Sequence, residues 1–131
     1  MHSREAACSC GQLKATCAGD PIRVSICHCH ACQKRTGSPF GQQARWAAEN
    51  VKIEGTEKTY VRVGDAGSTI TFRFCPTCGS TVYFEIDKMP GMIAVPVGAF
   101  ADSSFPSPVL SFYEARKHGW FDLREPMEHI D

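Results

Sequence analysis

The chain has 131 residues, a length typical of one domain with its own core, and its 14 basic and 14 acidic residues give a formal net charge of zero. This balance argues against a protein that binds nucleic acid or anionic membranes through bulk charge. No apolar run approaches the roughly 20 residues that cross a bilayer, and residues 1–7 contain no apolar leader segment. We therefore expect one cytoplasmic domain over residues 1–131, with neither nucleic acid nor a membrane as partner.

The first half of the chain predicts short strands separated by turns. A strand is predicted at 12–16, and Asp20-Pro21 marks the following turn. Residues 22–26 alternate between apolar and polar side chains, which is typical of a half-buried strand. Further strands are predicted at 42–46, 51–53 and 59–63.

The second half follows the same pattern. Strands are predicted at 68–74, 81–86, 92–97 and 111–113, and an ordered loop at 98–110. No segment keeps a 3.6-residue apolar period, and turn residues recur at short intervals. The fold class is therefore predicted to be mostly β, with at most short helices.

Eight cysteines are the most informative part of the composition. An even number permits four disulfides, but the reducing cytosol disfavours them. Cys8 and Cys10 are separated by one residue, as are Cys27 and Cys29, and this spacing bridges only with strain. Metal binding by thiolates is the preferred interpretation.

Three of these thiols lie in the run CHCHACQKRTG at 27–37. If the backbone stays extended from Cys27 to His30, Cys27 and Cys29 face one side and the two histidines face the other. Cys32 then returns to the same side through a turn. We therefore expect the histidines to lie at the surface or to support the site from behind, rather than to bind the metal.

The cysteines can be grouped in two ways. Cys17 has no thiol two or three residues away, so we predict that it is a small buried hydrophobe. One grouping of the other seven gives a closed four-ligand site and an open three-ligand site: Cys8, Cys10, Cys75 and Cys78, and Cys27, Cys29 and Cys32. Structural zinc uses four protein ligands, whereas catalytic zinc uses three and keeps one position open. The second grouping pairs Cys29 and Cys32 with Cys75 and Cys78 in a zinc ribbon. We prefer the first, because the ribbon leaves three cysteines without a role.

Three motifs together resemble one family. CSCG at 8–11, CHCHACQKRTG at 27–37 and FCPTCGS at 74–80 are similar to the motifs of the glutathione-dependent formaldehyde-activating family, which also includes centromere protein V. The resemblance runs from about Cys8 to Trp120. It implies a β-tent fold of small antiparallel sheets clamped by zinc. It also implies two zinc ions, a structural one at Cys8, Cys10, Cys75 and Cys78 and a catalytic one at Cys27, Cys29 and Cys32.

The family resemblance also implies an activity. A divalent cation with an open position lowers the pKa of a bound thiol or water. We therefore expect a zinc-dependent carbon–sulfur lyase or synthase acting on adducts of aldehydes with glutathione or another thiol, such as S-hydroxymethylglutathione. Lys34 and Arg35 are candidates for binding a substrate carboxylate.

The alternative is a non-catalytic zinc-binding module, in which both ions are structural or the open site only carries a thiol. The sequence leaves the oligomeric state open, and a homodimer is compatible with it.

Overall fold

Short strands make up most of the computed structural model, which describes residues 2–131. The strands are β1 (Ser3–Ala7), β2 (Lys14–Ala18), β3 (Arg23–Cys27), β4 (Gly41–Ala47), β5 (Val51–Glu54), β6 (Lys58–Val63), β7 (Thr69–Phe74), β8 (Thr81–Ile86), β9 (Met92–Pro96), β10 (Leu110–Phe112) and β11 (Glu128–His129). One α-helix, α1 (His30–Thr36), and three short 3₁₀ turns complete the described part of the chain. The prediction of a mostly β fold is confirmed.

The strands form two sheets. The smaller is antiparallel, in the order β1-β2-β5. The larger has eight strands in the order β11-β10-β3-β4-β9-β8-β7-β6. It is mixed, because β10 pairs in parallel with both β3 and β11. Its other strand pairs are antiparallel, as the family resemblance implies.

The main core lies between the two sheets. The small sheet contributes buried side chains that include Ala6, Ala15 and Cys17, and the large sheet contributes Val24, Ala44, Trp46, Val82 and Val95. Burial raises the pKa of the Cys17 thiol to about 12. Cys17 is therefore a buried apolar residue, as its isolation in the sequence predicts.

Both faces of β3 and β4 are buried, which the sequence did not predict. Val24 faces the core, whereas the polar side chains of Arg23 and Ser25 lie on the opposite face. Ser25 has no exposed surface, because that face borders a cavity instead of bulk solvent. Ile22 was expected within the strand, but it precedes β3 and is exposed.

Several elements escaped sequence reasoning because their patterns are weak. β1 is mostly polar and is held by its pairing with β2, and β11 has only two residues. α1 is too short to show a helical period. No helix within residues 2–131 is long and apolar enough to cross a membrane.

Candidate metal centres and adjoining cavity

The first candidate centre joins the two sheets. We call Cys8, Cys10, Cys75 and Cys78 the four-thiol cluster. Cys8 and Cys10 follow β1, and Cys75 and Cys78 lie between β7 and β8. All four Sγ atoms lie within 4.8 Å of one another.

The sulfur spacing of this cluster fits a tetrahedral ion. The Sγ atoms of Cys8 and Cys10 are 3.6 Å apart, and those of Cys10 and Cys75 are 3.7 Å apart. Four sulfurs around a zinc ion at about 2.3 Å would be separated by about 3.8 Å. These two separations therefore match those expected around a bound zinc ion.

Hydrogen-bond donors surround the same sulfurs. The Leu13 amide donates to Cys8 Sγ at 3.3 Å, and Gln12 Nε2 donates to Cys75 Sγ at 3.0 Å. The backbone N–H groups of Ser80 and Cys10 lower the pKa of Cys78 to about 5. Such donors favour thiolates over thiols, so the cluster is prepared for negative charge that a bound cation would balance.

The second candidate centre, the three-thiol cluster, consists of Cys27, Cys29 and Cys32. Cys27 ends β3, Cys29 is the N-cap of α1, and Cys32 lies in the first turn of that helix. The Cys32 amide donates to Cys29 Sγ at 3.3 Å. All three side chains are buried, and their sulfurs lie within 4.8 Å of one another. No fourth Cys, His, Asp or Glu from residues 2–131 joins this group.

The three thiols share their protons unequally. Hydrogen bonds from the Cys27 and Cys32 thiols lower the pKa of Cys29, and the same contacts raise the pKa of Cys27. A thiolate is therefore favoured at Cys29, which is the form that binds metals. Each of the eight cysteines is a free thiol, so neither cluster is closed by a disulfide.

The two histidines between the thiols point away from the cluster. The backbone of Cys29 is extended, with φ −60° and ψ 150°, and the helix begins at His30. His28 is fully buried on the opposite side, with Nε2 2.8 Å from Ser111 Oγ and 3.1 Å from Glu114 Oε2. His30 is exposed. Neither histidine belongs to either thiol group.

A cavity of about 330 Å³ opens beside the three-thiol cluster, and all three cysteines line it. Its cationic lining residues are Arg23, Arg35, Arg45, Arg62 and Lys88. Its apolar walls include Ile70, Phe72, Phe84, Ile86 and Phe112. Asp65 is the acidic residue of the lining, and it is paired with Arg116. The cavity therefore has a strongly cationic lining and apolar walls, a combination suited to an anionic organic ligand.

Arg35 faces this cavity from α1. Its guanidinium carbon lies 5.1 Å from the centre of the Phe72 ring and 5.2 Å from that of Phe84. Arg35 Nε and Nη2 are buried and have no hydrogen-bond partner among the residues that the structure describes. Lys34 lies elsewhere, in a neighbouring groove that Arg35 and Tyr60 also line.

Sequence reasoning missed several residues of this region. Arg23 shares a strand face with Cys27, so the two-residue period could have identified it. Arg45 enters the cavity only because β4 pairs with β3, and that pairing could not be read from one sequence. Ser111 and Glu114 reach His28 across more than 80 residues of chain, and no local motif marks them.

Comparisons with known proteins agree with this geometry. The family model described as glutathione-dependent formaldehyde-activating enzyme matches residues 3–116. A crystal structure of a Rhodobacter sphaeroides protein is similar, with a TM-score of 0.51 and 20% sequence identity, covering 72% of this chain and 85% of the other. At that identity the likeness concerns the fold alone. No curated protein matches the sequence.

The family match includes every cysteine of both clusters and most of the chain. The structure, in turn, brings those cysteines together into two groups that are compatible with metal binding. The chain therefore belongs to the glutathione-dependent formaldehyde-activating enzyme family.

Proposed function

We propose that this protein is a zinc-dependent carbon–sulfur lyase or synthase that acts on adducts of aldehydes with glutathione or a similar thiol, such as S-hydroxymethylglutathione. The observation that carries the proposal is the position of the three-thiol cluster. Three buried cysteines, with no fourth protein ligand in residues 2–131, line a cationic cavity of about 330 Å³. A purely structural zinc site would be filled by four protein atoms.

We propose that Cys27, Cys29 and Cys32 hold one zinc ion and that the four-thiol cluster holds another. Thiolate ligands favour zinc among the common divalent ions, although they also suit copper(I) and iron–sulfur clusters. When bound at the three-thiol cluster, zinc would lower the pKa of a thiol in its open position. The eight free thiols also support our proposal of a cytoplasmic location, where cysteines stay reduced.

The proposed reaction makes or breaks one carbon–sulfur bond. In the synthetic direction the thiol sulfur attacks the aldehyde carbon, and the thiol proton ends on the former carbonyl oxygen. The lyase direction reverses both changes, so no oxidant or reductant is needed. The protein's own contribution is to hold both reactants close together in the cavity, which favours reaction by proximity.

We propose that Arg35 orients the substrate by binding a carboxylate. Arg35 lines the cavity and forms no ion pair among the described residues, and a substrate carboxylate would supply one. The rings of Phe72 and Phe84 hold the guanidinium plane in place. Lys34 lies in the neighbouring groove, and its predicted contact with substrate remains a prediction.

The test is exchange NMR between free and thiol-bound formaldehyde, because the adduct also forms without an enzyme. Zinc-loaded wild-type protein is expected to raise the exchange rate above that of buffer. Cys27→Ser is expected to remain folded, to lose one of two zinc ions and to return the rate to that of buffer. Cys17→Ala serves as the control, since Cys17 lies in neither cluster.

A fully zinc-loaded wild-type protein that leaves the exchange rate unchanged would contradict catalysis and favour the non-catalytic alternative. Arg35→Gln separates binding from chemistry. It is expected to raise KM for glutathione adducts by about tenfold or more, the value of a hydrogen bond to a charged group.

A further inference from the structure

Two arginines face each other at the end of the cavity away from the thiols. Arg23 of β3 is the direct cross-strand partner of Arg45 in β4, and both line the cavity. The other end of the same strand pair places Cys27 opposite Gly41. The step from Arg23 to Cys27 is four residue rises along β3, which corresponds to about 13 Å of strand.

This arginine pair is costly as it stands. Arg45 is only 5% exposed, and burial together with the charge of Arg23 lowers its pKa to about 10. Like charges directly opposite on neighbouring strands destabilise a sheet. Buried charges are normally paired, because removing them from water is expensive.

The protein compensates the pair only in part, since the Cys27 and Cys32 thiols oppose the lowering of the Arg45 pKa. Arg45 Nη1 donates to Ser25 Oγ at 3.3 Å, and Gln43 Nε2 donates to the same oxygen at 2.9 Å. These contacts fix the side chains but bring no negative charge. Arg23 Nε is buried without a hydrogen-bond partner in residues 2–131, and neither arginine forms an ion pair there.

We propose that Arg23 and Arg45 bind a second carboxylate of the substrate, at the end of the cavity opposite the thiols. This inference rests on the proposed function for the thiol adduct and for the first carboxylate at Arg35. It adds the residues that bind the second of the two separated carboxylates that a glutathione adduct carries. Gln43, which also lines the cavity, stands beside the second carboxylate as a neutral neighbour.

The same lining disfavours a positive group on the substrate. Asp65 is the acidic residue among the described lining residues, and its carboxylate forms an ion pair with Arg116 at 2.6 Å. An ammonium group of a bound ligand would therefore meet four arginines and no unpaired carboxylate in this lining. The amine of a glutathione adduct therefore gains no ion pair from this lining, and we expect binding to come from the two carboxylates.

The test measures binding alone, by isothermal titration calorimetry with zinc-loaded protein. The probes are S-methylglutathione, its N-acetyl derivative and its diamide, none of which has a reactive thiol. N-acetyl-S-methylglutathione is expected to bind at least as tightly as S-methylglutathione. The diamide is expected to bind at least tenfold more weakly than either, because it lacks both charges.

Variants of the two arginines test whether this pair binds the second carboxylate. Arg23→Gln is expected to weaken binding of N-acetyl-S-methylglutathione about tenfold or more and to leave binding of the diamide unchanged. Arg45→Lys keeps the charge but not the forked donor, and we expect a smaller loss. Exposed Arg124→Gln is the matched control and should change neither affinity. Zinc content and the thermal midpoint establish that each variant is folded.

The proposal is overturned if the diamide binds as tightly as the dicarboxylates, or if the free amine improves binding. It is also overturned if Arg23→Gln, folded and zinc-loaded, leaves dicarboxylate binding intact. These binding measurements do not depend on catalysis. A protein that fails to accelerate adduct exchange can still bind these probes through the arginine pair.

Discussion

At the scale of single residues, His28 anchors the segment that carries the three-thiol cluster. The aromatic rings of Phe40 and Phe121 pack on its imidazole, with ring centres 6.2 and 5.9 Å away. Burial lowers the pKa of His28, against the opposing effect of Glu114. Its hydrogen bond to Ser111 ties the thiol segment to β10, so this histidine positions the cysteines from behind.

Glu114 completes that network, and its ionisation can be tested. Burial alone would raise the pKa of Glu114, but hydrogen bonds from Ser111 and His129 outweigh it and leave the pKa below its ordinary value. The ionised carboxylate therefore adds stability above the ordinary carboxyl pKa near 4.3, and that stability is lost as the pH falls through the lower, folded-state pKa. Glu114→Gln is expected to cost about 1 to 2 kcal/mol near pH 7.

Urea unfolding of wild type and variant between pH 3.5 and 8 measures this difference. We expect it to shrink as the pH falls below the ordinary carboxyl pKa near 4.3, where the unfolded chain takes up a proton that folded Glu114 does not. Exposed Glu125→Gln provides the control for loss of charge alone. A Glu114 effect that is constant with pH would show that the side chain acts through its shape and not its charge.

Cys17 gives a prediction about reactivity. Its burial keeps it in the thiol form, so iodoacetamide is expected to spare Cys17 in the folded protein and to modify it after denaturation. Cys17→Ala is expected to cost about 1 kcal/mol, as for a small cavity, without changing the zinc content. Peptide mass spectrometry and metal analysis provide the two measurements, and rapid labelling of native protein would contradict the assignment.

At the scale of elements, α1 depends on a cysteine for its first turn. Cys29 accepts the Cys32 amide as an N-cap, a role in which serine is also strongly preferred. Cys29→Ser is therefore expected to keep the helix and Cys29→Ala to lose about 1 kcal/mol more, whereas both variants should lose one zinc ion. Thermal unfolding and zinc analysis of the two variants, each compared with the wild type, separate the cap from the ligand.

β4 comes close to the same helix at Gly41. A Cβ at this position would lie 3.1 Å from Cys32 Cβ and 3.2 Å from Arg35 Nη2, which is closer than side chains normally pack. Gly41→Ala should therefore displace Cys32, with zinc loss confined to the three-thiol cluster and little change in unfolding. Gly98→Ala has no atom within 4 Å of the new Cβ and is the matched control. Full zinc loading of Gly41→Ala would show that the helix shifts without cost.

At the scale of the whole molecule, the four-thiol cluster fastens the small sheet to the large one. Its cysteines come in pairs from the two sheets, and they lie at the edge of the shared core. We expect Cys75→Ser to leave a partly unfolded protein, whereas Cys27→Ser stays folded, because metal binding to a structural site is coupled to folding. Hydrogen exchange should show lost protection in β1 and β2, and equal unfolding in both variants would contradict this division.

The strands that border the clusters were largely predictable, and the cavity was not. The alternation of apolar Val24 and Ile26 with polar neighbours identified β3, because a half-buried strand repeats its apolar side chains every two residues. The four-plus-three grouping of the seven thiols followed from their number and from the family resemblance, since spacing alone also permits a zinc ribbon. Arg45, Phe84 and Glu114 meet the thiol segment only through long-range pairing, which one sequence does not encode in any local pattern.

The double burial of β3 has a practical consequence for engineering this scaffold. Alternate positions of β3 have different roles. Val24 and Ile26 are buried and stabilise the fold, whereas Arg23 and Cys27 line the ligand cavity. A library restricted to Arg23 and Ser25, which spares the proposed zinc ligand Cys27, should retune ligand preference with modest loss of folded yield. A library at even-numbered sites should mostly yield insoluble protein.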